Sequence, residues 1–224
     1  MPLKTLTSMV PPVEHYSEDF LELVQQLNLH VQKAGVRIEG NYFYGHNHTQ
    51  LSTQQFHKGT EMRSLLLQAI ENKRHILEIG LNAGHSALAI LYHNRMTELH
   101  SVDINQHPYV SLAADFLQAY FGARFKFYPG NSLVVLPRLA VMYPEQKFDL
   151  IHIDGGHTKA AFETDVFNSL RLVQEPGWLL LDDVTIPSIK PSVQHFIERK
   201  LIEPVHYGDT RNMLVRVQQQ SNLH

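Results

Sequence analysis

The chain has 224 residues, of which 43% are hydrophobic, and this is enough for one sizeable core. Its 19 basic and 22 acidic residues give a formal net charge of −3, which excludes a strongly basic surface for nucleic acid or an anionic membrane. No apolar run approaches the roughly 20 residues of a membrane span, and the start has no signal-peptide core, so we expect a cytoplasmic protein. Because cysteine is absent, any metal must be held by Asp, Glu, His or Asn.

The first part of the chain predicts a helix followed by a loop. Apolar residues recur at helical spacing between Glu14 and Gly35, which indicates an amphipathic helix and makes it a candidate interface for a homo-oligomer. Residues 36–58 mix aromatic residues, Gly, His and Asn without a period, so we expect a loop over a pocket. Its segment Tyr42 to His48, together with His57, could form a second metal site, but a lid or an oligomer contact is the simpler interpretation.

The rest of the chain predicts alternating strands and helices. After a helix from about Thr60 to Asn72, five apolar runs read "HILEIG", "ELHSVD", "FKFYPG", "FDLIHID" and "WLLLDD", each followed by a helical segment. This pattern favours an α/β fold with a doubly wound, mostly parallel sheet, and the tail "EPVHYGDTRNMLVRV" adds an antiparallel hairpin, giving seven strands. We therefore divide the chain into an N-terminal helix and lid extension, 1–58, and a main domain, 59–224.

Acidic or small polar residues end all five of these strands. Ligands of an open parallel sheet bind beyond the carboxyl ends of its strands, so these residues should surround one crevice. For any single strand, a loop with ordinary turn chemistry is an equal alternative, but five strand ends together favour a binding site. The residues concerned are Glu78 to Gly80, Asp103, Gly130 to Ser132, Asp154, and the pair Asp182 and Asp183.

The pair Asp182 and Asp183 directly follows an apolar run in "WLLLDDV". Burying a carboxylate without a partner is costly, and two adjacent carboxylates repel each other unless a cation or several donors compensate. The pair therefore predicts a positive charge at this strand end. The alternative is that both residues only cap the next helix.

The segment "LEIGLNAGHSALAIL" carries the pattern E-x-G-x-x-x-G-x-S between a strand and a helix. Gly80 and Gly84 allow a tight turn and a close approach to a ligand, while Ser86 and the first-turn amides offer donors. Asp103, at the end of the next strand, can accept hydrogen bonds from both hydroxyls of a ribose, although a turn or helix cap is its alternative role. The glycine spacing departs from the dinucleotide pattern G-x-G-x-x-G, which disfavours a dehydrogenase.

These motifs, in this order, resemble those of class I S-adenosylmethionine-dependent methyltransferases. Within that class the chain is similar to the cation-dependent catechol and caffeoyl-CoA O-methyltransferase type, from roughly Phe56 to Phe196. The resemblance implies a Rossmann-like sheet and a site for S-adenosylmethionine, with Asp103 at its ribose. It further assigns Glu78, Gly80, Gly84 and Ser86 to the methionine part and Gly130, Asn131 and Ser132 to adenine, and Asp154 is also a predicted cofactor-binding residue.

The resemblance also implies a site for Mg²⁺ or another divalent cation. Its ligands would be Asp154, Asp182 and Asp183, and Asp183 makes the site more anionic than the Asp-Asn pair typical of the family. His157 stands where the family has a general-base lysine, as in the "IDGxH" version of bacterial relatives, and can accept a proton near neutral pH. A role in loop structure or helix capping is its alternative. Where the family has two bulky aromatic residues the chain has Gly155 and Gly156, so the pocket shape does not transfer.

The sequence thus predicts an S-adenosylmethionine-dependent, divalent-metal-assisted O-methyltransferase acting on a small-molecule hydroxyl, such as a catechol or a sugar diol. His157 and Asp154 are its predicted catalytic residues. The partners implied are a small-molecule acceptor, with neither nucleic acid nor membrane. Two alternatives remain, which are a metal-independent small-molecule O- or N-methyltransferase and a cofactor-binding scaffold without turnover.

Overall fold

The computed structural model describes residues 16–39, 60–145, 147–207 and 211–218. Its α-helices are Glu18–Val31 (α1), Thr60–Ala69 (α2), His85–His93 (α3), Pro108–Phe121 (α4), Ser132–Met142 (α5), Lys159–Leu172 (α6) and Lys190–Glu198 (α7). Its strands are His75–Ile79 (β1), Glu98–Asp103 (β2), Phe125–Pro129 (β3), Phe148–Ile153 (β4), Val173–Leu181 (β5), Ile202–Tyr207 (β6) and Met213–Val217 (β7). Gln32–Ala34 and Gly122–Arg124 form single 3-10 turns.

The strands form one seven-stranded sheet in the order β3-β2-β1-β4-β5-β7-β6. β1 to β5 are mutually parallel, while β7 runs antiparallel to both β5 and β6, so the predicted α/β fold with its terminal hairpin is confirmed. The order reverses between β1 and β4, which places the crevice of a doubly wound sheet there. β5 begins at Val173, earlier than the predicted start at Trp178, and α2 ends at Ala69 rather than Asn72.

Helices cover both faces of the sheet because neighbouring residues of each strand point to opposite sides. On one face Ile76, Leu150 and Leu180 pack with helices α1 to α4, and on the other Leu77, Ile151 and Leu181 pack with α5 to α7. Because both faces are covered, each buried strand reads as a nearly continuous apolar run, which is the pattern that predicted the sheet.

None of the helices in the described ranges has the length and apolar character needed to cross a membrane.

The N-terminal helix α1 belongs to the first of these two cores. Ser17 caps it by accepting a hydrogen bond from the Phe20 amide, and its apolar residues pack against α3 and α4. The chain itself therefore fills this apolar face, and the oligomer interface that the sequence predicted here stays a prediction. The boundary at residues 58 and 59 stays a prediction, and the segment 42–48 with His57 lies outside the described residues.

Two further caps set where the helices near the crevice begin. Asn131 accepts a hydrogen bond from the Leu133 amide at the start of α5 (2.9 Å), and Thr158 accepts one from the Ala161 amide at the start of α6 (3.2 Å). These caps satisfy amides that have no partner inside the helix. They also fix the short connections that leave β3 and β4.

Candidate active site

Backbone hydrogen bonds continue one residue past the ends of the central strands and hold these ends at one level. The amides of Gly80, Gly130, Asp154 and Asp182 donate to the carbonyls of Val102, Asp103, Ile79 and Ile153 over 2.8, 2.7, 2.9 and 3.0 Å. The connections that carry the predicted site residues therefore start side by side. This arrangement brings them to one edge of the sheet.

A cavity of about 660 Å³ opens at that edge. This volume lies within the range of small-molecule sites. Its wall contains most of the residues that the sequence assigned to a site: Gly80, Asp103, Gly130, Asn131, Ser132, Asp154, His157, Asp182 and Asp183. Residues that the sequence did not single out also line it, among them Glu39, Asn82, Gln106, His107 and Arg211.

Gly80 is required where β1 and β4 end beside each other. Its φ is +99°, and a Cβ atom there would lie 2.0 Å from the Asp154 carbonyl oxygen. Any side chain would therefore push the two strand ends apart. The glycine brings the chain after β1 next to Asp154.

Three of the predicted cofactor residues lie behind the cavity wall. Glu78 is fully buried, and its carboxylate accepts hydrogen bonds from the hydroxyls of Ser86 and Ser101, both over 2.6 Å. A Cβ atom on Gly84 would lie 3.1 Å from the side chains of Ala113 and Leu117, so this glycine lets α3 approach α4. Glu78, Gly84 and Ser86 thus do not line the cavity, and their contact with the methionine part of the cofactor stays a prediction.

Asp103 is held rigidly at the cavity wall by two backbone amides. Its Oδ2 accepts from the Asn82 amide at 2.9 Å and its Oδ1 from the Asn105 amide at 2.7 Å. Both asparagines have left-handed backbone, with φ of 50° and 58°, a conformation that asparagine adopts more readily than most residues. A carboxylate oxygen can accept more than one hydrogen bond, so Asp103 can also receive two neighbouring hydroxyls.

Three carboxyl groups crowd the ends of β4 and β5. Burial raises the pKa of Asp154 well above its usual value, and the neighbouring Asp182 and Asp183 carboxylates raise it further. Asp183 has a left-handed backbone with φ of 58°, and its amide donates to Asp182 Oδ1 over 2.7 Å. The turn lets both adjacent side chains face one cavity. Several negatively charged carboxylate oxygens in one place are the kind of ligand set that suits a hard divalent cation.

His157 is bound to this cluster through Asp183. Its Nε2 lies 2.8 Å from Asp183 Oδ2, and this hydrogen bond raises the pKa of His157 although partial burial opposes the rise. One ligand atom each from Asp154, His157 and Asp183 lie within 4.8 Å of one another. This group of possible metal ligands includes His157 but not Asp182, whereas the sequence predicted Asp182 and not His157 as a ligand.

Arg211 is a site residue that the sequence analysis missed. Its Nη1 lies 3.2 Å from Asp183 Oδ1 and its Nε 3.6 Å from Asp182 Oδ1. Its carbonyl accepts a hydrogen bond from the Val184 amide over 2.8 Å, which fixes its backbone beside the turn after β5. The available signal was the predicted hairpin, because a strand that pairs with β5 brings the residues before it to the aspartate pair.

The glycine pair after β4 lets α6 come close to the sheet. A Cβ atom on Gly156 would lie 2.9 Å from the Ala161 Cβ, and one on Gly155 would lie 3.1 Å from Asp165 Oδ2. Larger residues would displace α6 at both positions. The wall here is therefore backbone and Ala161, not the aromatic pair of the family that the sequence resembles.

Comparisons with known proteins identify a methyltransferase domain and its fold. Residues 77–184 match a family model described as a methyltransferase domain. Among the curated proteins, none matches the chain. Similar solved structures include an O-methyltransferase from Bacillus cereus in complex with S-adenosylhomocysteine (17% identity, TM-score 0.62, covering 92% of this chain and 93% of that one).

Two further structures have the same fold. One is the O-methyltransferase TomG from Streptomyces achromogenes, in complex with S-adenosylmethionine (17% identity, TM-score 0.59, covering 88% of this chain and 89% of that one). The other is the Podospora anserina methyltransferase PaMTH1, bound to S-adenosylhomocysteine (18% identity, TM-score 0.63, covering 96% of this chain and 100% of that one). Residues 77–184 thus match a methyltransferase domain, as the resemblance predicted, and the chain shares the fold of these methyltransferases.

Proposed function

We propose that this enzyme transfers a methyl group from S-adenosylmethionine to a hydroxyl of a small molecule, with the help of a divalent cation. The observation that carries the proposal is the cluster Asp154, Asp182 and Asp183, which shares one cavity with Asp103. A carboxylate suited to ribose and an oxygen-rich cluster suited to a cation thus face the same space. That is the combination a metal-assisted methyl transfer needs.

The cofactor would lie along the ends of β1, β2 and β3. When bound, S-adenosylmethionine supplies an activated methyl group on a sulfonium. Asp103 would accept hydrogen bonds from the ribose hydroxyls, because its carboxylate is already fixed by two amides. Gly130, Asn131 and Ser132 would line the adenine, and the loop from Gly80, supported by Glu78, Gly84 and Ser86, would hold the methionine part.

The cation would be held by Asp154, Asp182 and Asp183. Their fit rests on the crowding of three carboxyl groups. Burial is the main cause of the raised pKa of Asp154, and the neighbouring Asp182 and Asp183 raise it further, a contribution that a cation would relieve. A divalent cation bound there would supply the positive charge that favours loss of a proton from a nearby hydroxyl. His157 as a fourth ligand is a second arrangement, favoured by its position within 4.8 Å of Asp154 and Asp183.

His157 would remove the proton from the acceptor hydroxyl. Its Nε2 donates to Asp183 Oδ2 at 2.8 Å, which leaves Nδ1 as the basic nitrogen of the neutral ring. Because 61% of the side chain is exposed, the ring can deliver the proton to solvent after each turnover. Asp183 would orient the imidazole and stabilise its charged form.

The acceptor that this site favours is a neutral molecule with two neighbouring oxygens, such as a catechol or a sugar diol. Three carboxylates would repel an acidic acceptor, whereas two adjacent hydroxyls can both approach one cation. Arg211 favours a competing function, a metal-independent methyltransferase, because its guanidinium already supplies positive charge to Asp182 and Asp183. A chelator separates these two functions.

The test is a methyl-transfer assay with S-adenosylmethionine and a panel of catechols and sugar diols, with Mg²⁺ or with EDTA. We expect product that EDTA abolishes and Mg²⁺ restores. Product formation unaffected by EDTA would favour the metal-independent enzyme, and cofactor binding without product from any acceptor would favour a scaffold. His157→Gln should lose turnover while binding S-adenosylhomocysteine normally, and His195→Gln, an exposed position on α7, is its control.

A further inference from the structure

Arg211 occupies the oxygens that a cation would need. Asp183 directs Oδ1 to Arg211 at 3.2 Å and Oδ2 to His157 at 2.8 Å, so a cation that binds Asp183 must displace or share one of these contacts. Arg211 also lies 3.6 Å from Asp182 Oδ1. The guanidinium therefore faces both members of the adjacent pair.

The charges of the cluster balance only in part. With all three carboxyl groups ionised and His157 neutral, the carboxylates outweigh the one guanidinium by two formal charges, which is the charge of a single divalent cation. The positive charge of Arg211 also reaches beyond its direct partners, because it lowers the pKa of both Asp154 and His157. Arg211 therefore acts electrostatically on every titratable group that we assign to the cluster.

The side chain of Arg211 can move while its backbone stays in place. The hydrogen bond from the Val184 amide holds the carbonyl of Arg211, but 41% of its side chain is exposed toward the cavity and solvent. An arginine has several rotatable bonds and pays little to turn its charged end into water. Displacement by a cation thus needs no change in the sheet.

We propose that Arg211 is the internal counter-ion of the three-carboxylate cluster and that it competes with a divalent cation for Asp182 and Asp183. This inference rests on the proposed function, since it concerns the same cation site. It assigns Arg211 a positioning role: the residue holds the carboxylates together before the cation binds and sets how tightly the cation is held.

The experiment compares Mn²⁺ binding by the native chain, Arg211→Gln and Arg211→Lys, each with S-adenosylhomocysteine present, using the electron paramagnetic resonance signal of unbound Mn²⁺. We expect Arg211→Gln to bind Mn²⁺ about tenfold more tightly and Arg211→Lys to lie in between, because lysine keeps the charge but not the planar two-sided contact. Arg216→Gln is the matched control, since Arg216 lies on β7 over the Trp178 ring, 5.0 Å from its centre.

A second readout needs no bound metal. In EDTA, Arg211→Gln should melt at a lower temperature than the native chain, because its carboxylates have lost their counter-ion. Added Mn²⁺ should raise the melting temperature of the variant again. A purely structural defect would not be reversed by Mn²⁺. If Arg211→Gln does not fold, Arg211→Lys decides the matter, and Mn²⁺ binding no tighter than native then overturns the proposal.

The outcomes separate this proposal from the metal-assisted function. If the native chain binds Mn²⁺ and Arg211→Gln binds it more tightly, both the counter-ion role and the metal-assisted function are supported. Equal or weaker binding by Arg211→Gln overturns the counter-ion role and leaves the metal-assisted function standing. Binding by Arg211→Gln alone supports the counter-ion role and overturns metal assistance, and binding by neither chain overturns both.

Discussion

His157 Nε2 and Asp183 Oδ2 lie 2.8 Å apart, and they join an exposed ring to a carboxylate that is only 5% exposed. The two residues come from the connections after β4 and β5, which neighbour each other in the sheet. A buried carboxylate that holds an exposed imidazole is an arrangement that orients a general base. It also links the proposed base directly to the proposed cation site.

The first prediction concerns the pH dependence of turnover. The hydrogen bond to Asp183 raises the pKa of His157 above its usual value of about 6.5, and only the neutral ring can accept a proton. We therefore expect kcat/KM to rise with pH through an apparent pKa above about 6.5. His157→Gln should lower kcat/KM about a hundredfold and remove this rise. A rise that persists unchanged in His157→Gln would assign it to another group.

The second prediction concerns Asp103 and the cofactor. Asp103→Asn keeps the shape of the side chain but removes the charge that two ribose hydroxyls would meet, so S-adenosylhomocysteine should bind about tenfold more weakly. Isothermal titration calorimetry measures this change. Glu98→Gln is the control, because Glu98 lies at the opposite end of β2. Equal affinity of native and Asp103→Asn chains would remove Asp103 from the cofactor site.

The third prediction concerns stability without a cation. Asp182→Asn removes one of the charges that raise the pKa of Asp154, and its amide oxygen can still accept from the Asp183 amide. In EDTA at neutral pH we expect the free energy of unfolding to rise by about 1 kcal/mol.

The control for this change is Asp149→Asn at the other end of β4. Asp149 Oδ2 accepts from the amides of Arg74 and His75 over 2.6 and 2.8 Å, so its replacement should lower the free energy of unfolding. Urea unfolding measures both variants. Destabilisation by Asp182→Asn in EDTA would mean that Asp182 makes a net stabilising contact and that charge repulsion is not the dominant effect there.

The fourth prediction concerns Asp165 on α6. This side chain is 1% exposed, and neither of its oxygens has a well-formed hydrogen bond to another described residue. Burial raises the pKa of Asp165 to about 6, although the nearby Ser132 opposes the rise. The folded chain thus binds a proton more tightly than the unfolded chain, whose value is near 3.8. The protonated Asp165 therefore makes its full contribution to the free energy of unfolding below about pH 4. This contribution, roughly 3 kcal/mol, is lost as the pH rises through about 6.

Asp165→Asn cannot lose a proton, so this part of the pH dependence should vanish. The free energy of unfolding of the variant minus that of the native chain should increase between about pH 4.5 and 7, measured by urea unfolding at several pH values. Asp115→Asn, at an exposed position of α4, controls for general charge effects. A difference that stays constant with pH would show that Asp165 does not titrate in this range.

The sheet could be predicted because each buried strand is an apolar run and each run ends in polar residues. The same logic brought Asp103, Asp154 and the pair Asp182 and Asp183 to one cavity. The sequence pattern did not reveal that Glu78 is fully buried and bonded to Ser86 and Ser101 behind the cavity wall, since the residue types of a motif do not state which of them reach the surface.

Arg211 was missed for a different reason. The terminal hairpin was predicted, but its sequence did not state that β7 pairs with β5, and it is this pairing that brings Arg211 to the aspartate pair. The cytoplasmic location, the oligomeric state, the domain boundary at residues 58 and 59 and the role of the segment 42–48 stay predictions.

The most direct test of the central claim is Mn²⁺ binding followed by electron paramagnetic resonance with S-adenosylhomocysteine present, in the native chain and in Asp182→Asn, Asp183→Asn. Mn²⁺ prefers the same oxygen ligands as Mg²⁺. The account predicts one site in the native chain that the double variant loses while both chains keep the cofactor product. A native chain that holds S-adenosylhomocysteine but binds no ion would contradict it.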